Sequence, residues 1–177
     1  HEHVENLVMA LEDAMLTKQD IHLLQVDFSE AFDTVAHTKI TQVLAALGFP
    51  DDAVRVVTNL YTDASTVVRT PYGCTDPLPI LCGTIQGDSL SPYLFILYLE
   101  PLLRWLKVGG RGYQFKALNN KQEQIQHQMA DCTYADDVNI LTTSISDLAI
   151  QADKLTAYSK WAHLTVNMDK SSATAAL

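Results

Sequence analysis

Residues 133–141 read TYADDVNIL and set two aspartates, Asp136 and Asp137, side by side between strand-forming residues. Carboxylates this close raise each other's proton affinity unless a cation offsets them. Hard divalent ions such as Mg²⁺ take one or two carboxylates together with substrate phosphates. An ordinary Asp-containing turn is the alternative reading of the dipeptide. Asp27 poses the same choice, because it closes the apolar run HLLQVDF (22–28) and precedes SEAFDTVAH. A carboxylate at the exit of a buried strand is costly unless it is paired, hydrogen-bonded or on a metal. Capping the turn that follows is its simpler role. If Asp27 and the pair lie on neighbouring strands, three carboxylates converge at one sheet edge. That cluster suits a two-metal site, whose ions sit about 3.5–4 Å apart in polymerases and nucleases.

A third stretch, GTIQGDSLSPYLF (83–95), adds binding chemistry. Gly83 and Gly87 permit close backbone approach, Gln86 can hydrogen-bond a ligand, and Ser91-Pro92 opens a helix. A polar loop before a helix N-terminus is a place for a phosphate or a base, although many loop-to-helix junctions share that composition.

Hydrophobic spacing supplies the elements that must position these residues. Leu7, Leu11, Ala14 and Met15 recur at helical intervals over 4–16, and 22–28 follows as a buried strand. TKITQVLAALGF predicts a helix stopped by Gly48. DDAVRVVTNLY predicts another, with Asp51 or Asp52 as its N-cap. STVVRT and LPILCG are extended segments separated by the turn-rich PYGCTDP. A long apolar helix runs from about Ser91 to Leu106, with Pro92 in its first turn, where a missing N–H costs little, and Pro101 as a potential kink. VGGRGY breaks the chain, and 116–128, rich in Asn, Gln and Lys, reads as an exposed loop. CTYADDVNILT reads as a β-hairpin, 146–163 as a helix, and LTVNMDKSSAT as a last strand with a turn at Asn167 to Asp169. The mixed order without strict β-α alternation predicts an α+β fold, an antiparallel sheet with helices on one face.

Composition bounds the partners. The 177 residues are 47% hydrophobic, enough for one packed domain. The formal net charge of -9 argues against a free-standing nucleic-acid binder, which usually carries a basic patch. Three cysteines without C-x-x-C spacing suggest neither a disulfide framework nor a zinc site, consistent with a reducing intracellular compartment. The most apolar run, YLFILYL (93–99), is too short to span a bilayer, and no signal peptide is evident, so no membrane partner is expected. His1 in place of methionine, with a helical pattern already running by Val4, suggests a segment of a longer protein.

LLQVDFSEAFDTVAH, GTIQGDSLSP, YADD and LTVNMDKS, in this order and spacing, resemble the core motifs of reverse transcriptases, most closely those of non-LTR retrotransposons. The likeness runs from about residue 4 to 174. It implies a polymerase palm: an antiparallel β-sheet packed on helices, with the catalytic hairpin at the sheet edge. The expected organisation is a palm over 1–177 with part of the fingers–palm junction at its N-terminus, and with the thumb and most of the fingers lacking.

The resemblance also assigns roles. Asp27 and Asp136 would be the core metal ligands, Asp137 their helper, and the Phe28 carbonyl would complete one ion's sphere. Two Mg²⁺ ions, or Mn²⁺, are implied. The backbone of Phe28, Ser29, Glu30 and Ala31 would lie beneath the incoming triphosphate. Phe32 would stand under the nucleotide sugar, where a bulky ring leaves no room for a ribose 2′-hydroxyl; a core phenylalanine is the other reading. Gln86 and Gly87 would contact nucleotide and template, Tyr134 would pack near the primer terminus, and Lys170 would help protonate departing pyrophosphate. Asp33, Asp88 and Asp169 would cap, turn or hydrogen-bond. The implied partners are an RNA template, a DNA primer and deoxynucleoside triphosphates, in the nucleus when chromosomal DNA is the target. A non-catalytic scaffold remnant and a group II intron-type reverse transcriptase are the alternatives. The acidic balance further predicts weak template–primer affinity, and little or no primer extension, for these 177 residues alone.

Overall fold

The computed structural model describes residues 2–85, 87–116 and 127–176. The chain begins with α1 (Glu2–Thr17), β1 (Ile21–Val26), β2 (Phe28–Ser29), α2 (His37–Ala46) and α3 (Asp51–Tyr61). Four two-residue strands follow: β3 (Ser65–Thr66), β4 (Arg69–Thr70), β5 (Gly73–Cys74) and β6 (Leu78–Pro79). Next come α4 (Ser91–Lys107), β7 (Tyr113–Gln114), β8 (Gln128–Met129), β9 (Asp131–Tyr134) and β10 (Asp137–Thr142). The chain closes with α5 (Ile145–Ala162), β11 (Thr165–Val166) and β12 (Ser172–Ala176). Two compact units result, one from residues 1–29 and 99–177, the other from 30–98.

The first unit is built on a four-stranded antiparallel sheet in the order β12-β1-β10-β9. Its register pairs Val26 with Val138 and Leu23 with Leu141 across β1 and β10, and Asn139 with Cys132 across the hairpin. Because strand side chains alternate faces, Ile21 and Leu23 share a face with Leu141 and Cys132. These four join Ala10 and Ala14 of α1 and Tyr113 in one apolar cluster. Val26, Val138 and Ile140 on the opposite face are buried as well. Asp131 shares that face and meets Lys107 of α4 at 3.7 Å, while α5 packs along β1 and β10. Helices therefore cover both faces of the sheet, not the single face expected. The reason lies in the strand composition: with apolar residues at both parities of HLLQV and VNIL, each face has surface to bury.

Several ends depart from expectation in instructive ways. The N-cap of α3 is Pro50, and Asp51 and Asp52 sit inside the first turn, where they complement the helix dipole without capping it. The segment expected as a loop over 116–128 contributes its last residue, Gln128, to β8, which pairs with β7; residues 117–126 lie outside the described residues. The single last strand is two, β11 pairing with β2 and β12 with β1. The helix expected over 146–163 runs Ile145–Ala162, and its N-cap is Ser144, whose hydroxyl accepts from Asp147 N–H at 3.1 Å. Among the described residues no helix is long and apolar enough to cross a membrane.

In the second unit α2 ends at Gly48, whose N–H donates to Ala45 O while Phe49 N–H donates to Leu44 O, the paired closure of a Schellman turn. STVVRT and LPILCG, expected as extended, hold the two-residue strands β3, β4 and β6; β5 falls within the predicted turn and pairs with β4, while β3 pairs with β6.

Candidate active site

One step beyond Val26↔Val138, the β1–β10 register sets Asp27 opposite Asp137. Two steps beyond Gln25↔Ser172, the β1–β12 register brings Lys170 level with Asp27 on the other side. Central β1 thus delivers its terminal carboxylate between the hairpin and the turn that precedes β12. These residues, with Gln25, Val26 and Asn139, line a cavity of about 230 Å³.

The backbone of Asp27 is fixed at both ends. Its carbonyl accepts from Asn167 N–H at 2.8 Å, and its N–H donates to Ser171 Oγ at 3.1 Å. Asn167 also accepts through Oδ1 from the N–H groups of Asp169 and Lys170, at 3.2 and 3.3 Å. The NMDKS turn is therefore a bracket holding Asp27 at the sheet end. Lys170 Nζ lies 3.9 Å from Asp27 Oδ2, with the lysine side chain 70% and the aspartate 27% exposed. An ion pair this long and wet contributes little to stability, so its ammonium is available to other anions.

The hairpin is closed by a two-residue turn, Ala135–Asp136, between the paired Tyr134 and Asp137. Ala135 has φ 54, the left-handed value that primed hairpin turns require at their first central position. Asp136 occupies the second turn position and is not among the cavity-lining residues. Period-two alternation explains the difference. Asp137 shares the face of Asn139, Gln25 and Asp27, and a shift of one residue leaves that face. The expected convergence of three carboxylates is, in this arrangement, a pair: among the described residues no group of three or more His, Cys, Asp or Glu is placed to hold an ion. The donors that do meet are carboxylates and amides, hard oxygen ligands suited to Mg²⁺ or Mn²⁺ and unsuited to soft metals.

Gln25 and Asn139 were not singled out in the sequence. Both carry a legible signal, a polar residue two positions from a candidate acid inside an apolar strand. Each is anchored, Gln25 Oε1 accepting from Ser172 Oγ at 3.2 Å and Asn139 Nδ2 donating to Cys132 O at 3.1 Å. Tyr134, opposite Asp137, is largely exposed, and Phe28 is buried in the β2–β11 bridge with Ser29 beside it.

The other predicted residues belong to the second unit. Glu30 is exposed with φ 50, and Ala31 is buried. Phe32 is partly buried, with its ring tilted on Phe95 at a centroid distance of 4.7 Å. Its carbonyl accepts from Thr84 N–H at 2.8 Å, and Val35 O accepts from Gly83 N–H at 2.8 Å, so FDTV and GT run side by side. Gly83 is required there: a Cβ would stand 2.8 Å from Asp33 O. Gly87 has a similar φ, 87, but open space around it, so close approach applies to Gly83 alone. Asp88 makes the expected turn, its Oδ1 accepting from Leu90 N–H at 3.2 Å. Gln86 lies outside the described residues.

An antiparallel sheet packed on helices, with an acid-bearing hairpin beside its central strand, has the fold of a polymerase palm. The profile of the reverse transcriptase (RNA-dependent DNA polymerase) family matches residues 2–176, and the chain belongs to that family. Its relatives place it with the non-LTR retrotransposon type. It is similar to the retrovirus-related Pol polyprotein of the type-1 retrotransposable element R2 of Popillia japonica, 28% identical over 153 residues covering 84% of this chain and 23% of that one. The corresponding type-2 R2DM polyprotein of Drosophila melanogaster is 28% identical over 149 residues, 84% of this chain and 13% of its own length. The chain thus spans less than a quarter of these relatives. Among solved structures, apo telomerase from Candida tropicalis, truncated from its C-terminal domain, superposes with a TM-score of 0.73 at 16% identity, over 99% of this chain and 35% of that one. Telomerase from Candida albicans in complex with a telomeric RNA fragment gives 0.69 at 12% identity, over 96% and 29%. At such identities the likeness concerns the fold.

Proposed function

We propose that this chain is the palm of an RNA-directed DNA polymerase that adds deoxynucleotides to a primer 3′-hydroxyl by two-metal-ion catalysis. The observation that carries the reading is the meeting of Asp27, Asp137 and Lys170 around one cavity, in a chain matched to the family over 2–176. Asp27 and the Asp136–Asp137 pair would hold the divalent ions, with the Phe28 carbonyl contributing. When bound, such ions supply Lewis acidity toward the primer hydroxyl and neutralise charge on the triphosphate.

The remaining work falls to this chain's own groups. The bond formed joins the primer 3′-oxygen to the α-phosphorus, and the bond broken releases pyrophosphate. Lys170, with a weakly paired ammonium at the cavity wall, would give a proton to that leaving group. The backbone of 28–31 would underlie the triphosphate, and Gln86 and Gly87 would contact nucleotide and template. Tyr134 would border the primer terminus. Phe32, braced by Phe95, would exclude a ribose 2′-hydroxyl and so select deoxynucleotides. The template would be RNA, as the family name states, and the site of action the nucleus when chromosomal DNA is the target.

Primer extension on an RNA template by the parent protein tests this reading. Asp136→Asn and Asp137→Asn should each abolish extension while leaving the fold intact by circular dichroism. Unchanged extension in both variants refutes the metal assignment. With a net charge of -9, the 177-residue chain alone should bind template–primer weakly and extend it poorly.

A further inference from the structure

We propose that His37 and Tyr61 are positioning residues for the loop over 83–91, and that their stack sets the affinity for the incoming nucleotide. The proposal rests on the polymerase reading above, since it concerns the loop to which that reading assigns nucleotide contact.

His37 opens α2, and Tyr61 closes α3. Their rings stack with centroids 4.2 Å apart and planes 17° from parallel. His37 Nε2 lies 2.8 Å from Gly83 O. A carbonyl only accepts, so this bond puts the ring proton on Nε2. Gly83 thereby has both backbone groups held, its N–H by Val35 O and its carbonyl by His37. This is the residue at which the loop enters, and its backbone is pressed on Asp33 closely enough to exclude a side chain.

Tyr61 also reaches the far end of the loop. Burial pushes its phenol pKa up, the Asp88 carboxylate adds to that, and Ser91 opposes it. The hydroxyl is buried without a hydrogen-bond partner among the described residues, and Ser91 Oγ donates to Ile85 O at 2.8 Å. A phenylalanine would fill this place without an orphaned polar atom. The tyrosine ring thus braces the imidazole while its rim faces the residues that close the loop. Between these two ends stands Gly87, one of the residues assigned to nucleotide and template. A loop held at entry and exit keeps Gly87 in place before substrate arrives, which lowers the ordering cost of binding.

Amide hydrogen exchange on the 177-residue chain reads the positioning directly. His37→Ala and Tyr61→Ala should each speed exchange at Gly83 and Thr84 roughly three- to tenfold, with the β1–β10 ladder unchanged. Tyr61→Phe keeps the stack and should leave these amides at wild-type rates. If an alanine variant fails to fold, His37→Gln, which retains an N–H donor without the ring, should show an intermediate shift. Wild-type exchange in 83–91 for the folded His37 and Tyr61 variants overturns the proposal. In primer extension by the parent protein, His37→Ala should raise KM for the deoxynucleotide about tenfold or more while kcat changes less than about threefold, the split expected when binding rather than chemistry is disturbed. An equal fall in kcat and kcat/KM also overturns it. Should the wild-type parent extend no primer while the exchange shift persists, the polymerase reading fails and the clamp stands.

Discussion

Alanine at Gly83 and at Gly87 should have different costs, although both glycines lie in one short loop with nearly the same φ, 86 and 87. The shared cost is the left-handed backbone, about 1–2 kcal/mol for a residue with a Cβ. Alanine recovers about 0.4–1 kcal/mol of it by restricting the unfolded chain. At Gly87 nothing lies within 4 Å of the added carbon, so the net loss should be about 0.5–1 kcal/mol. At Gly83 the carbon would meet Asp33 O at 2.8 Å and Asp33 Cα at 3.0 Å, both backbone atoms with no rotamer to yield. Relief to ordinary contact needs a shift of about 0.6 Å. That shift strains the 2.8 Å bonds to Val35 O and Phe32 O. Overpacking of this kind costs about 1–3 kcal/mol. Gly83→Ala should therefore lose about 2–4 kcal/mol in all. Equilibrium urea unfolding of both variants, followed by circular dichroism, measures the difference directly. Equal losses, or a larger loss for Gly87→Ala, would refute the close approach of the two motifs.

Three further outcomes are expected. Ala135→Gly should raise stability by up to about 1 kcal/mol in urea unfolding, because it relieves φ 54 in the hairpin turn; a loss of stability would contradict the turn geometry. Ser144→Ala should cost about 1 kcal/mol as the α5 cap is removed. The Ser144 hydroxyl and then Arg111 hold the Asp147 carboxyl below its usual 3.8. The stability from that shift is fully present above the unfolded value and is lost as pH falls through the folded one. The gap between acid unfolding curves of wild type and Ser144→Ala should accordingly narrow below pH 3.8, with the backbone cap bond keeping a remainder, and a constant gap would count against the linkage. Phe32→Val should weaken discrimination between deoxynucleotides and ribonucleotides on the order of tenfold in primer extension; unchanged selectivity would make Phe32 a core residue only.

Much of this fold could be read from residue spacing because the apolar pattern is strong where elements are long. The helices over Glu2–Thr17, Ser91–Lys107 and Ile145–Ala162 and the β9–β10 hairpin lie within a few residues of their expected places. The two-residue strands could not be foreseen, since two residues carry no period. The split of the last strand depends on Asn167 N–H bonding to Asp27 O, a tertiary contact across 140 positions that local sequence does not encode. The same holds at the site. Asp27 and the DD pair were visible as costly carboxylates, but which of the pair faces Asp27 is a matter of register, and that depends on pairing with β1. Gln25 and Asn139 were legible in principle by the same two-residue step. His37 and Tyr61 were not: one is an ordinary polar residue and the other an ordinary aromatic until α2 and α3 bring them together.

On the proposed function, Asp27 and the hairpin acids form one divalent-cation site. Electron paramagnetic resonance titration of Mn²⁺ into the 177-residue chain, with a deoxynucleoside triphosphate present, measures that most directly. Wild type should take up Mn²⁺ saturably beyond what the nucleotide binds alone, and Asp27→Asn should weaken that uptake by about tenfold or more, a loss of about 1.4 kcal/mol. Identical titration curves for the two proteins would contradict the account.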